Sequence, residues 1–155
     1  MQAATTLSKI NLKANKNMAK DTKTKKGYVY AIGRRKSASA RVRLFKGNKE
    51  SLVNGEVIGK YFPGEAMRKV WSKPFTLAGV AGKYFVTIKV SGGGKIGQLE
   101  AAVHGISRAL SLIDSNKFRS TLKKFGLLTR DPRVRERRKI GTGGKARRKK
   151  QSPKR

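Results

Sequence analysis

Apolar positions along this chain follow two rhythms, and the change between them falls near residue 91. Before it, Tyr84, Val86, Ile88 and Val90 alternate with Phe85, Thr87 and Lys89, the period of a strand with one face buried. Tyr28-Val29-Tyr30-Ala31-Ile32 predicts a strand ended by Gly33. Arg41 to Phe45 predicts another, stopped by Lys46-Gly47-Asn48, and Leu52-Val53 runs into Asn54-Gly55, a strong hairpin-turn signal. Pro63 predicts the opening of a short helix with Met67, Val70 and Trp71 on one face and Pro74 at its end, then a brief strand over Phe75 to Leu77 closed by Gly79. After Gly92-Gly93-Gly94, apolar residues recur at steps of three and four: Ile96, Leu99, Val103, Ile106, Leu110 and Ile113. That stripe predicts a helix with Glu100, Arg108, Ser111 and Ser115 opposite it, followed by a shorter helix over 116–125 using Phe118, Leu122 and Phe125. Strands, a short helix, strands and then helices give an α+β fold, a two-layer sheet with helices packed on it.

The flanks lack this patterning. Residues 1–27 are Lys, Asn, Thr and Ala with scattered Leu7, Ile10 and Leu12, too few apolar groups to offset ordering entropy, so they are expected to form a disordered Lys-rich extension. Met18 offers an alternative start. Residues 28–128 form the expected globular domain. Residues 129–155 hold only Val134, Ile140 and Ala146 as apolar side chains, and are expected to be an extended basic tail with a reach of about 90 Å at roughly 3.3 Å per residue.

Charge supplies a partner. The formal net charge is +31, and the final 27 residues hold 13 basic and 2 acidic groups. Such an excess opposes compaction unless a polyanion cancels it, and nucleic acid does so with release of condensed counterions. A membrane is not expected, because no basic amphipathic helix with an aromatic face is evident and no apolar run reaches about 20 residues. The absence of cysteine excludes disulfides, zinc ribbons and thiol chemistry, and one histidine makes a His-based metal site improbable, so no cofactor or metal is expected. The amino-terminal stretch lacks the apolar segment of a secretory signal, so none is expected. It is acid-free up to Asp21, as transit peptides are, but its basic residues are all Lys.

The motifs sort in the same direction. Gly92-Gly93-Gly94-Lys95-Ile96-Gly97 fits a dinucleotide fingerprint between a strand and a helix. No strand is expected after that helix to complete a βαβ unit, and Gln98 stands where a Walker loop needs Lys. The glycines are read instead as a tight turn that brings backbone close to protein or RNA. His104 is a lone histidine without an acid–base partner in the sequence, and the carboxylates are scattered singly, so no enzyme and no small-molecule substrate is expected. Arg34, Arg35 and Lys36 form a basic turn, and Arg41 and Arg43 share one face of the next strand. With Arg133, Arg135, Arg137, Arg138, Lys139, Lys145, Arg147, Arg148, Lys149 and Lys150 of the tail, these are the expected RNA-binding residues. A histone-like compactor shares the charge but has no need of a patterned domain, and a small nucleotide-dependent enzyme would need a catalytic set that the chain does not supply.

Gly92 to Ala101 with Gly105-Ile106-Ser107-Arg108-Ala109-Leu110 resembles the signature of the small-subunit ribosomal protein S-nine family. Gly33-Arg34-Arg35-Lys36 with Ala40-Arg41-Val42-Arg43, Leu128 to Arg133, Glu136 to Lys139 and the terminal Lys154-Arg155 extend the resemblance over about residues 28–155. It implies a domain similar to the second domain of ribosomal protein S-five, including a left-handed βαβ crossover, and a cytoplasmic ribosome as location, with an organellar ribosome as the alternative. It further implies ribosomal RNA of the small-subunit head and neighbouring head proteins as partners, and a tail that touches peptidyl-site tRNA through Lys154 and Arg155. The family's aromatic-Ser pair before the last two residues is replaced by Ser152-Pro153, which removes a stacking ring from the implied tRNA contact.

Overall fold

Two glycines set the spacing of this molecule. In the computed structural model, which describes residues 27–144, 146 and 147, the strand β1 (Tyr28–Arg35) passes straight through Gly33. A Cβ on Gly33 would sit 1.9 Å from the Ala101 carbonyl oxygen, and one on Gly105 would sit 2.5 Å from Cγ2 of Val42. Gly33 therefore does not end the strand, as the sequence suggests. It lets the long helix lie directly on the sheet.

β1 turns through Lys36-Ser37 into β2 (Ala38–Lys46), its antiparallel partner. β3 (Leu52–Val53) and β4 (Glu56–Val57) form a second small hairpin. Its turn residues Asn54 and Gly55 both have positive φ, 52° and 93°, as a tight hairpin of the right twist requires. The Asn54 amide then extends the ladder: Oδ1 accepts from the Val90 N–H at 2.9 Å and Nδ2 donates to the Val90 carbonyl at 3.2 Å. Helices α1 (Ile58–Tyr61) and α2 (Glu65–Leu77) lead to β5 (Tyr84–Ser91), which is parallel to β3 and antiparallel to β2. The sheet order is β1-β2-β5-β3-β4. α3 (Lys95–Ile113) and α4 (Ser115–Lys124) follow, with the Asp114 side chain capping α4 by accepting from the Lys117 N–H.

The core lies between the sheet and α3. Val42, Leu44, Val86 and Ile88 face Leu99, Ile106 and Leu110, all essentially solvent-free. At roughly 1.5–3 kcal/mol for each large apolar side chain buried, this layer is the main favourable term. Because α2 and α4 flank α3, its buried surface extends beyond the one stripe expected. Ala101, Ala102, Gly105 and Ala109 are buried too, and Ser107 is buried with its hydroxyl donating to the Val103 carbonyl at 2.8 Å. Ser111, assigned by the sequence to the exposed side, is buried as well, while Ile96 is 67% exposed.

α2 corrects a second expectation. Pro74 lies inside this helix, and the brief strand expected over Phe75–Leu77 is its final turn. A mid-helix proline removes one amide donor and crowds the carbonyl a turn earlier. Here continuity of the helix carries Phe75 into the core beside Trp71, which offsets that loss. Val70, expected on the packed face with Met67 and Trp71, is exposed.

Candidate nucleic-acid interface

The strands that bury Val42 and Ile88 on one side present a basic and aromatic surface on the other, because neighbouring side chains alternate. The register sets Ile32, Arg41 and Lys89 in one row across β1, β2 and β5. Tyr30, Arg43 and Thr87 form the next, and Tyr28, Phe45 and Phe85 the third. Arg34, Arg41, Arg43, Lys89 and Tyr30 are exposed. None of the residues of β1, β2 or β5 is acidic.

Alternation also separates two adjacent arginines that the sequence groups together. Arg34 points outward with this surface, whereas Arg35 points toward α3 and is only 12% exposed at its side chain. Each nitrogen of its guanidinium has a partner within the protein. Nε donates to the Glu100 carboxylate, Nη2 lies 3.2 Å from Asp131 Oδ2, and Nη1 donates to the Arg133 carbonyl at 2.7 Å. Arg35 thus ties the end of β1 to α3 and to the first residues of the tail. Asp131 is shared with Arg133, whose Nη2 approaches within 2.6 Å. The Arg133 guanidinium and backbone N–H donate to Asp131 and hold its carboxyl far below the usual carboxylate range, while Asp131 in turn raises Arg133.

His104 makes the second tie. Nδ1 faces the Arg34 backbone N–H at 3.4 Å, which can only donate, so Nδ1 accepts and Nε2–H donates to the Leu128 carbonyl at 3.3 Å. Burial is the main cause that lowers this imidazole from its ordinary value. The Leu128 hydrogen bond opposes it, and the positive charges of Arg108 and Arg130 add to it. The neutral ring bridges β1 and the segment that leads into the tail. It is a positioned packing residue.

Beyond this root the tail carries no helix or strand among the described residues, and Arg135, Arg137, Arg138 and Lys139 are exposed. Arg147 lies 3.7 Å from Glu136. Lys36 is exposed at the hairpin tip with φ of 51°. The remaining expected residues, Lys145, Arg148, Lys149, Lys150, Lys154 and Arg155, lie outside the described residues.

The glycine-rich loop faces protein. A Cβ on Gly92 would fall 2.6 Å from the Ser37 carbonyl oxygen, and one on Gly93 would fall 3.0 Å from the Ala38 Cβ. The loop packs against the β1–β2 turn, and no strand follows α3 among the described residues. Sequence reasoning missed Lys89 and Tyr30 as members of the basic face. The alternation of β5 marks Lys89 as outward, but only the register sets it beside Arg41. It also missed Arg108, whose Nη1 donates to the Ile32 carbonyl.

The chain is similar in sequence to proteins of one family. Residues 33–155 match the family model described as ribosomal protein S9/S16. The chain is 47% identical over 117 residues to the small ribosomal subunit protein uS9 of Solidesulfovibrio magneticus, covering 76% of this chain and 89% of that one. It is 46% identical over 119 residues to that of Maridesulfovibrio salexigens, covering 77% and 91%. Its identity to that of Desulfovibrio desulfuricans is 46% over 114 residues, covering 74% and 87%.

Proposed function

This chain belongs to the ribosomal protein S9/S16 family, and from that premise we propose that it binds small-subunit ribosomal RNA through two basic surfaces that meet at Arg35. As a member of the family it is a structural, non-enzymatic constituent of the small ribosomal subunit, in cytoplasmic ribosomes.

One observation carries the RNA-binding reading: the outward arginines of the β1–β2 hairpin and the exposed basic tail are joined at the root of the tail. Arg35 holds the Arg133 carbonyl while Arg34, Arg41 and Arg43 face solvent. Arginine forks suit phosphate oxygens, and contacts of this type set position and affinity without reading sequence. The surface would seat on head ribosomal RNA beside neighbouring head proteins. Arg135, Arg137, Arg138 and Lys139 would continue the phosphate contacts away from the domain, together with Lys145, Arg147, Arg148, Lys149 and Lys150. Lys154 and Arg155 at the carboxyl terminus would touch tRNA in the peptidyl site by charge.

Truncation separates these roles. A chain lacking residues 151–155 should enter small subunits normally and yet weaken tRNA retention in the peptidyl site, read by filter binding to purified subunits. A chain lacking residues 129–155 should lose much of its RNA affinity and have a shallower salt dependence. Loss of subunit incorporation in the five-residue truncation would overturn this division of labour.

A further inference from the structure

We propose that the open face of the β1-β2-β5 sheet is a stacking platform for unpaired RNA bases, with Tyr30 as its exposed ring and Arg41, Arg43 and Lys89 as the phosphate contacts around it. This rests on the RNA-binding reading and adds to it a class of ligand, unpaired nucleotides, and a set of aromatic residues.

The face is more than a field of charge. Phe45 and Phe85 stack with centroids 5.0 Å apart and planes 11° from parallel, and Tyr28 leans on Phe45 at 5.3 Å. The Arg43 guanidinium carbon lies 5.3 Å from the Tyr28 ring centroid, a cation over an aromatic face. Next to this cluster Tyr30 is 42% exposed. Tyr28, Tyr30, Arg41, Arg43, Thr87 and Lys89 line a groove of about 380 Å³. That volume falls within the range of sites that hold small flat ligands, roughly 300–1,000 Å³.

Duplex phosphates alone would be served by the cations and would leave the rings without purpose, because the bases of a duplex are already stacked on each other. An unpaired base offers a free π-face to a ring, while its phosphate lies within reach of the flanking cations. A protein partner would also cover aromatic groups. Yet a face with four exposed cations, Arg34, Arg41, Arg43 and Lys89, and no carboxylate on its strands is complementary to a polyanion.

The test uses the full chain with a single-stranded pyrimidine RNA and a blunt RNA duplex of equal length, both at fixed salt. Tyr30→Val keeps a strong strand former at this position but removes the ring, and Tyr30→Phe keeps the ring. Tyr30→Val should lose roughly 10-fold in affinity for the single strand, as expected for one stacked base. Its duplex affinity should stay within about 2-fold, since phosphate contacts are untouched. Tyr30→Phe should restore single-strand binding, and equal melting temperatures exclude a folding cause. An equal loss on both RNAs, or no loss on either, overturns the platform, and the second result leaves a protein partner as the occupant. Failure of the unaltered chain to bind any RNA overturns the wider reading instead, so the two failures are distinct.

Discussion

The two faces of one sheet, built from the same three strands, meet opposite demands. On the side toward α3, Ala40, Val42, Leu44, Val86, Ile88 and Val90 are buried, and two glycines let helix and strand approach without side chains between them. On the far side, Tyr30, Arg41, Arg43 and Lys89 stay open to solvent. The first face is constrained by volume, since its neighbours are fixed backbone and close-packed methyl groups. The second is constrained by charge and ring exposure, which tolerate exchange of one residue for another of similar chemistry. A change on the first face should therefore register as lost stability, and a change on the second as lost affinity in a stable protein.

The largest test of that contrast is Gly33→Ala. The new methyl has no room against the Ala101 carbonyl, so destabilisation on the order of 3 kcal/mol or more is expected, read by urea denaturation. Near-normal stability would show that α3 can lift off the sheet at little cost. Arg35→Gln comes next. It strips hydrogen bonds from Glu100 and the Arg133 carbonyl and an ion pair from Asp131, and should cost about 1–3 kcal/mol. It should also expose the chain after Leu128 to limited proteolysis. Unchanged cleavage there would mean that Arg35 does not hold the tail.

A smaller effect should follow acidification. His104 is held below its ordinary value of 6.5, so the unfolded chain takes up the proton first as pH falls. The stability from neutral His104 is present above pH 6.5 and is lost as pH falls from there through the lower folded value. The charged ring would turn an N–H toward the Arg34 N–H and add charge beside Arg108 and Arg130. Melting temperature should decline between about pH 7 and 5, and His104→Gln should flatten that part of the decline. Smallest in stability is Arg41→Gln with Arg43→Gln, within about 0.5 kcal/mol of the unaltered chain. The pair should nonetheless reduce the slope of RNA affinity against salt by about one for each lost phosphate contact.

Much of this fold is legible in the residue pattern. The alternation from Tyr84 to Val90 became β5, and the three-and-four spacing from Leu99 to Leu110 became α3, because each signal spans several periods. Asn54-Gly55 was equally readable, since few pairs of residues adopt two positive φ values. Local punctuation misled where packing prevailed. Pro74 and Gly33 read as terminators, but buried Phe75 carries the helix onward and the backbone of α3 needs the space at Gly33. The second misreading had a cost for the site. Ending the strand at Gly33 hides the alternation of Arg34 and Arg35, so both are taken as solvent-facing when one is the internal anchor. The row of Tyr30, Arg43 and Thr87 depends on register between distant segments, which single-strand patterns do not encode.

The anchor at Arg35 and His104 has a geometric consequence. A flexible tether hinged freely at its root sweeps a full hemisphere, and its tip is diluted over that whole search volume. Fixing the chain at Leu128, Asp131 and Arg133 narrows the departure to a restricted solid angle set by the rigid sheet and α3. The described residues after Arg133 then leave along a heading chosen by the folded domain, which raises their effective concentration along that line.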